Sequence, residues 1–243
     1  MSTPLTDKIN ALTAYANGVT GESDTTLSEA VHTLADGYGQ GGGDSIWVSI
    51  VDRTVTEIND RDGLCKKVGA YVFSNCKSLT SVVFPSAETT GSSSFSDCTN
   101  LSTVSFPSLK TIGISCFGSC TNLSTVSFPS VETVDSSCFS GCKNLSTASF
   151  SSLKSISGSA FSSCQSLKAL ILRRQGSTCY LSNASAFNGT PMRSGTGYIY
   201  VPASLIETYK TARNWDTYAA QLRALEDYTV DGTITGDLDP NKI

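Results

Sequence analysis

Nine cysteines are the residues of this 243-residue chain best suited to chemistry. Cys76, Cys98, Cys120, Cys142 and Cys164 recur every 22 residues. Cys116/Cys120 and Cys138/Cys142 are C-x3-C pairs, a spacing that in isolation suggests a four-thiolate zinc site. Thiols brought together in a column are also placed for disulfides, yet an unbroken column cannot pair throughout. Both spacings follow from the period itself, so the expected state is reduced, buried thiols with no metal and no cofactor. The remaining catalytic inventory is thin. His32 is the single histidine and lies outside the repeats, which removes Ser-His-Asp and Cys-His arrangements from them. Glu57, Asp60, Asp62, Glu88, Asp97, Glu132 and Asp135 are dispersed, with no pair that demands acid–base work. Asp60-Arg61-Asp62-Gly63 is too short for a calcium loop. No G-x-S-x-G, P-loop or dinucleotide fingerprint occurs. The expectation is a protein that is not an enzyme.

Composition narrows the partners. Charged residues make up 16% of the chain and the net charge is −4, with no cluster of basic residues. Nucleic acid is therefore not an expected partner. No apolar run approaches the ~18 residues of a membrane span. Met1 to Lys8 lacks a basic n-region and an apolar h-region, so no signal peptide is read there.

What positions the cysteines is an internal repeat. Phe73, Phe95, Phe117, Phe139 and Phe161 keep the 22-residue interval, as do Leu79, Leu101, Leu123, Leu145 and Leu167. In the unit Asn100–Thr121, Leu101, Val104 and Phe106 lie on one side of a short strand that Pro107 ends. Leu109 and Ile112 point inward, Gly113 is read as a tight turn, and Ser115–Cys120 as a short helical or 3₁₀ turn. One unit cannot bury its own apolar side. Stacking sets each strand about 4.8 Å from the next in a parallel sheet and turns equal residues into columns. Each stacked Phe then removes roughly 150–250 Å² from water. The strand residues between the apolar positions, Thr103, Ser105, Thr125, Ser127, Thr147 and Ser149, face out as a flat lattice of hydroxyls. That lattice is either a solvated sheet face or a docking surface for protein or glycan.

The pattern L-x-x-V-x-F-P-S-L-x-x-I-G-x-x-C-F-x-x-C resembles the BspA-like leucine-rich repeat, whose usual form has Ala where Cys116 and Cys138 stand; Ala160 keeps that form. The resemblance covers roughly residues 46–226. It implies an α/β leucine-rich-repeat solenoid, with a parallel sheet on one face and short helical turns or loops opposite. It also implies surface adhesion and protein or host recognition.

Four segments are expected. Leu5, Ile9, Leu12, Ala16 and Val19 form a short heptad seam, continued by Leu27, Val31 and Leu34 on a second helix with a capping box at Thr26–Glu29. Residues 1–36 are read either as a helical hairpin packed on the solenoid cap or, in preference, as a helical attachment or oligomerisation segment serving a homo-oligomer or larger particle through residues 4–36. A Gly-rich linker follows at 37–45, the solenoid with its N-terminal cap at 46–202, and a capping helix and tail at 203–243. Ser204 is read as the cap of that helix, with Leu205, Tyr209, Trp215 and Tyr218 covering the last repeat. The leader from Asp7 to Gly39, the cap I-V-D-R-T-V-T-E-I and the closing Y-I-Y-V-P-A-S-L-I-E-T-Y-K resemble minor structural or tail-associated proteins of phages and prophages of gut Firmicutes. That likeness implies a place in a virion or prophage particle, and the N-terminal reading without a signal peptide adds the expectation of cytosolic synthesis. A bacterial cell-surface adhesin and a cytosolic interaction scaffold are the alternatives.

Overall fold

The computed structural model describes residues 53–60, 63, 65–230, 233 and 234, without side chains for 228–230, 233 and 234. The helices expected within 4–36, with His32, the linker at 37–45, the strand at 46–51, Leu64 and the tail beyond 234 lie outside the described residues.

The chain is a stack of coils with hydrogen bonds running from coil to coil on three sides. The first side carries two parallel sheets. One is β1 (Glu57–Asn59), β3 (Ser81–Val83) and β5 (Thr103–Ser105). The other is β7 (Thr125–Phe128), β9 (Thr147–Phe150), β11 (Ala169–Leu172), β13 (Tyr198–Val201) and β14 (Leu222–Ala224). Register follows the sequence period, with Ser81 opposite Thr103 and Thr125 opposite Thr147. The second side is a six-stranded parallel sheet of two-residue strands: β2 (Lys67–Val68), β4 (Thr89–Thr90), β6 (Thr111–Ile112), β8 (Thr133–Val134), β10 (Ser155–Ile156) and β12 (Tyr180–Leu181). Sequence reading placed only one sheet, because a two-residue strand leaves no alternation to detect.

The third side corrects an expectation. Ser115–Cys120 is a run of turns, not a helix. Ser93, Ser115, Ser137 and Ser159 form one column with φ between 53° and 58°, and Asn75, Asp97, Ser119 and Ser163 a second with φ between 59° and 61°. A left-handed residue at each end of the run stops 3₁₀ winding. Alternate amides here bond to the next coil, with Phe95 N donating to Cys116 O at 2.9 Å and Phe117 N to Cys138 O at 2.9 Å, while Gly118 N and Cys120 N keep single turn bonds to Ser115 O and Phe117 O at 3.0 and 3.2 Å. Gly113 opens the expected turn, its carbonyl accepting from Cys116 N at 3.2 Å, and it has a second role. A Cβ on Gly113 would lie 2.6 Å from the Gly91 carbonyl carbon, and one on Gly91 2.4 Å from the Ala70 nitrogen. Glycine is needed there so that adjacent backbones can approach.

The predicted aromatic column is present. Phe73, Phe95, Phe117, Phe139, Phe161 and Phe187 stack with centroids 5.3, 5.3, 5.5, 5.3 and 5.7 Å apart along the series. Each is fully buried. A second column, Phe84, Phe106, Phe128 and Phe150, flanks it, with cross-column centroids such as Phe95–Phe106 at 5.9 Å.

The C-terminal end closes the stack differently from the expectation. No side chain caps the 3₁₀ turn Ala203–Leu205 or the helix Ile206–Thr211 beyond it. Ser204 is therefore not the cap. Instead Glu226 Oε2 accepts from Ala203 N at 2.7 Å. Tyr209, Trp215 and Tyr218 are buried over the last coil, and Leu205 is half-buried. Trp215 Nε1 donates to Cys179 O at 2.7 Å, and Tyr209 Oη accepts from Cys179 N at 2.7 Å. The strand series also runs past Pro202, since β14 pairs with β13 as a further rung.

Candidate recognition surface

The cysteines come first because they had the chemistry to offer. All nine are buried and unpaired by disulfides. Burial pushes their thiols up, Cys65 to about 11 and Cys116, Cys164 and Cys179 to about 12. Cys120, Cys138 and Cys142 are also raised well above the ordinary thiol value by burial, with neighbouring thiols adding to the effect. A thiol held protonated is neither nucleophile nor zinc ligand. Among the described residues no group of three His, Cys, Asp or Glu is arranged to hold a metal ion.

The column has a structural use that its composition alone did not disclose. Cys98 Sγ donates to Phe73 O at 3.0 Å, Cys120 Sγ to Phe95 O at 3.1 Å, Cys142 Sγ to Phe117 O at 3.0 Å and Cys164 Sγ to Phe139 O at 3.0 Å. Each S–H tethers one coil to the backbone of the coil before it. Cys76 heads the series, and there Arg53 Nη1 donates to Val72 O at 3.0 Å and lies 3.8 Å from Cys76 Sγ. These are weak donors in a dry core, so they secure register more than they add stability.

The strand side carries the candidate binding residues. Registered pairing sets Thr103 in a row with Glu57 and Ser81, and Ser105 in a row with Asn59 and Val83. Across the other sheet Thr125, Thr147, Ala169 and Tyr198 form one row, and Ser127, Ser149, Ile171 and Tyr200 the next. Thr103, Thr125 and Ser127 are exposed; Ser105, Thr147 and Ser149 are half-buried. The lattice departs from the flat face expected in two ways. It is divided, because β5 and β7 do not pair. It also ends at β11, where the outward residues turn apolar. Ala169, Ile171 and Tyr200 are buried with Leu225 in a second small cluster on the solvent side of the sheet. Arg223 lies over the Tyr198 ring at 4.3 Å from its centroid. The chain after β14 therefore folds back across the last rungs, which sequence reading took for a polar tail. Outward Ala169 and Ile171 were the available signal.

The second side offers less to a partner. Lys66, Glu88, Lys110, Glu132 and Lys154 alternate in sign along the edge of the six-stranded sheet. Lys110 Nζ lies 2.7 Å from Glu88 Oε2, and Lys154 Nζ 2.7 Å from Glu132 Oε2. Each ammonium holds its carboxylate below the usual range. Charges that satisfy one another leave little field for a visitor. An open hollow of 510 Å³ lies between Gln165 and the turn Thr190–Thr196, without converging catalytic groups. Among the described residues no helix is long and apolar enough to cross a membrane.

The family model for the BspA type leucine-rich repeat region, in six copies, matches residues 55–193. Among solved structures, the pneumococcal vaccine antigen PcpA is 19% identical, with 70% of this chain and 40% of that chain covered and a TM-score of 0.53. The leucine-rich repeat protein TpLRR of T. pallidum is 30% identical over 44% of this chain and 52% of that one, with a TM-score of 0.43. A leucine-rich repeat protein from Eubacterium ventriosum is 25% identical over 56% of this chain and 43% of that one, with a TM-score of 0.45. The matched part thus spans 40% to 52% of these three proteins. Comparison with curated proteins yields no match.

Proposed function

The chain belongs to the BspA-type leucine-rich-repeat family, and from that premise we propose that it is a non-catalytic recognition protein that binds protein or glycan through the hydroxyl rows of its strand side. The observation that supports this most is the contrast between faces. Thr103, Thr125, Ser127 and Thr147 carry no charge, and charged residues enter their rows only at the ends of the described strand side, Glu57 on β1 and Arg223 on β14, while the neighbouring side neutralises itself through ion pairs. Single hydroxyls give weak contacts, and rows of them gain strength when many copies are displayed together. Display on a phage or prophage particle suits the heptad pattern of residues 4–36, which would attach the chain to a second copy or to the particle. Display on a bacterial cell surface is equally consistent with the family.

Capture from an immobilised glycan panel and a displayed random-peptide library tests the reading. The intact chain is expected to select ligands that the double variant Thr125→Arg, Thr147→Arg loses at least tenfold. Equal capture by both proteins overturns the assignment of this face. Light scattering of the intact chain and of a chain lacking residues 1–43 tests the attachment segment. A mass matching the monomer of each chain excludes self-association.

A further inference from the structure

The strand side is interrupted at one place, and the interruption has a shape. The Cα atoms of β5 and β7 stand more than 8 Å apart over most of their length, whereas paired strands of a parallel sheet lie about 4.8 Å apart. Two ladder spacings amount to about 9.6 Å, the room that one additional strand takes. Among the described residues the coils separate only on this side and only between β5 and β7. On the second side β6 still pairs with β8, and on the third Phe95 and Phe117 remain stacked at 5.3 Å. The opening is pinned at both ends, by Asn122 N donating to Thr99 O at 3.2 Å and Ser130 Oγ donating to Pro107 O at 2.8 Å.

The groups lining it follow from the neighbouring rungs. Between β3 and β5 the ladder is flanked by Thr103 N donating to Thr80 O at 3.1 Å and Phe84 N donating to Ser105 O at 2.9 Å. The same register one coil later would join Thr125 N to Ser102 O and Phe106 N to Ser127 O, and neither bond is made. One wall therefore presents the N–H and C=O of Val104 and the N–H of Phe106. The other presents the N–H and C=O of Thr125 and Ser127. The floor is apolar. Val104 is half-buried there, while its column mates Val82 and Ala148 are fully buried. Phe84–Phe106 and Phe128–Phe150 are stacked at 5.3 and 6.0 Å on either side, and Phe117 bridges the break at 6.2 Å from Phe106 and 6.1 Å from Phe128. The rim, Thr103, Ser105, Thr125 and Ser127, carries no charge.

We propose that this opening is a docking slot for a short, uncharged, extended peptide of a partner protein, taken up as an extra strand between β5 and β7. It rests on the reading of the strand side as the recognition surface and names the kind of partner. Backbone groups on two facing edges select extended polypeptide, which bonds to both at once. The pins limit the bonded part to about three or four residues, with the peptide ends leaving outward at the observed strand rise. The alternating floor and rim ask for an apolar residue pointing in and small or hydroxyl residues pointing out.

Hydrogen exchange on the intact chain tests this directly. In the free protein the amides of Val104, Phe106, Thr125 and Ser127 are expected to exchange at least 100-fold faster than those of Ala148 and Ser149, which lie inside the ladder of β9. Acetyl-Ser-Thr-Val-Ser-Phe-amide, which copies residues 124–128, then serves as the probe. It is expected to protect the four amides saturably, and its analogue N-methylated at Thr, Val and Ser to bind at least tenfold more weakly. Protection of the four amides in the free protein equal to that on β9 overturns the slot. So does the absence of saturable protection at millimolar peptide, or equal binding by the methylated analogue. Lattice-dependent capture on the panel and library alongside any of these results discards the slot alone and leaves the recognition surface standing.

Discussion

Replacing Phe117 with alanine probes the stacked core at its centre. The ring is fully buried and touches Phe95 and Phe139 along its own column and Phe106 and Phe128 across it, at 5.3, 5.5, 6.2 and 6.1 Å between centroids. Loss of a buried Phe costs about 3–5 kcal/mol from transfer and cavity together. Phe117 has four ring partners, each worth ~0.5–1.5 kcal/mol beyond burial, so the upper part of that range is expected. Phe73, at the first described coil, has Phe84 and Phe95 as its ring partners among the described residues and belongs at the lower part. For a chain of this size about 2–4 °C of melting temperature follows each kcal/mol, which gives a fall of roughly 6–20 °C. Urea denaturation followed by far-ultraviolet circular dichroism measures both variants, with Ile114→Ala as the exposed control, since Ile114 is 52% exposed. A cost below about 1.5 kcal/mol for Phe117→Ala, or one no larger than that of Ile114→Ala, refutes the stacking argument.

Three further outcomes are expected. Stability should fall steeply above pH 9. The folded thiols hold their protons while unfolded ones lose them from their ordinary value of 9.0 upward, so the loss begins there and continues through the raised folded values. Each titrating thiol contributes about 1.4 kcal/mol per pH unit, and urea midpoints at pH 8, 9 and 10 that do not move would contradict the burial of the column. Ser119, at φ 60°, should tolerate glycine, which stands at the equivalent Gly141, and lose about 1–2 kcal/mol with valine, whose branched side chain resists the left-handed region; equal melting temperatures for the two variants would remove the turn assignment. Truncation after Ala224 should uncover Ile171 and Tyr200, raising binding of an apolar dye without loss of far-ultraviolet signal; unchanged dye binding would mean that the chain beyond β14 does not cover the sheet.

The residues that were legible in advance are those whose meaning is carried by identity alone. Phe, Cys and Leu at a fixed interval declare a column, because stacking equal side chains is the way such units acquire an interior. Features that depend on geometry between coils were not legible. Gly113 reads as a turn, which it opens, but its close approach to Gly91 of the preceding coil is visible only in three dimensions. The charge ladder from Lys66 to Lys154 alternates sign from coil to coil, so its true repeat is two units long and a search for identical residues passes over it. Within the candidate surface, Thr103-Val104-Ser105-Phe106 and Thr125-Val126-Ser127-Phe128 are the same four residue types, so nothing in them foretells the separation of β5 from β7. Ala169 and Ile171, by contrast, are apolar where Thr and Ser stand in earlier coils, and that change did mark the covered end of the lattice.

A thiol count on the native and the denatured chain reaches the central idea most directly, because the nine cysteines sample the core from Cys65 to Cys179. A chromogenic disulfide reagent at pH 8 should find essentially none in the native protein and all nine after denaturation without reductant. Rapid native reaction of several thiols, or fewer than nine released in denaturant, would show that the coils do not share one dry, reduced interior.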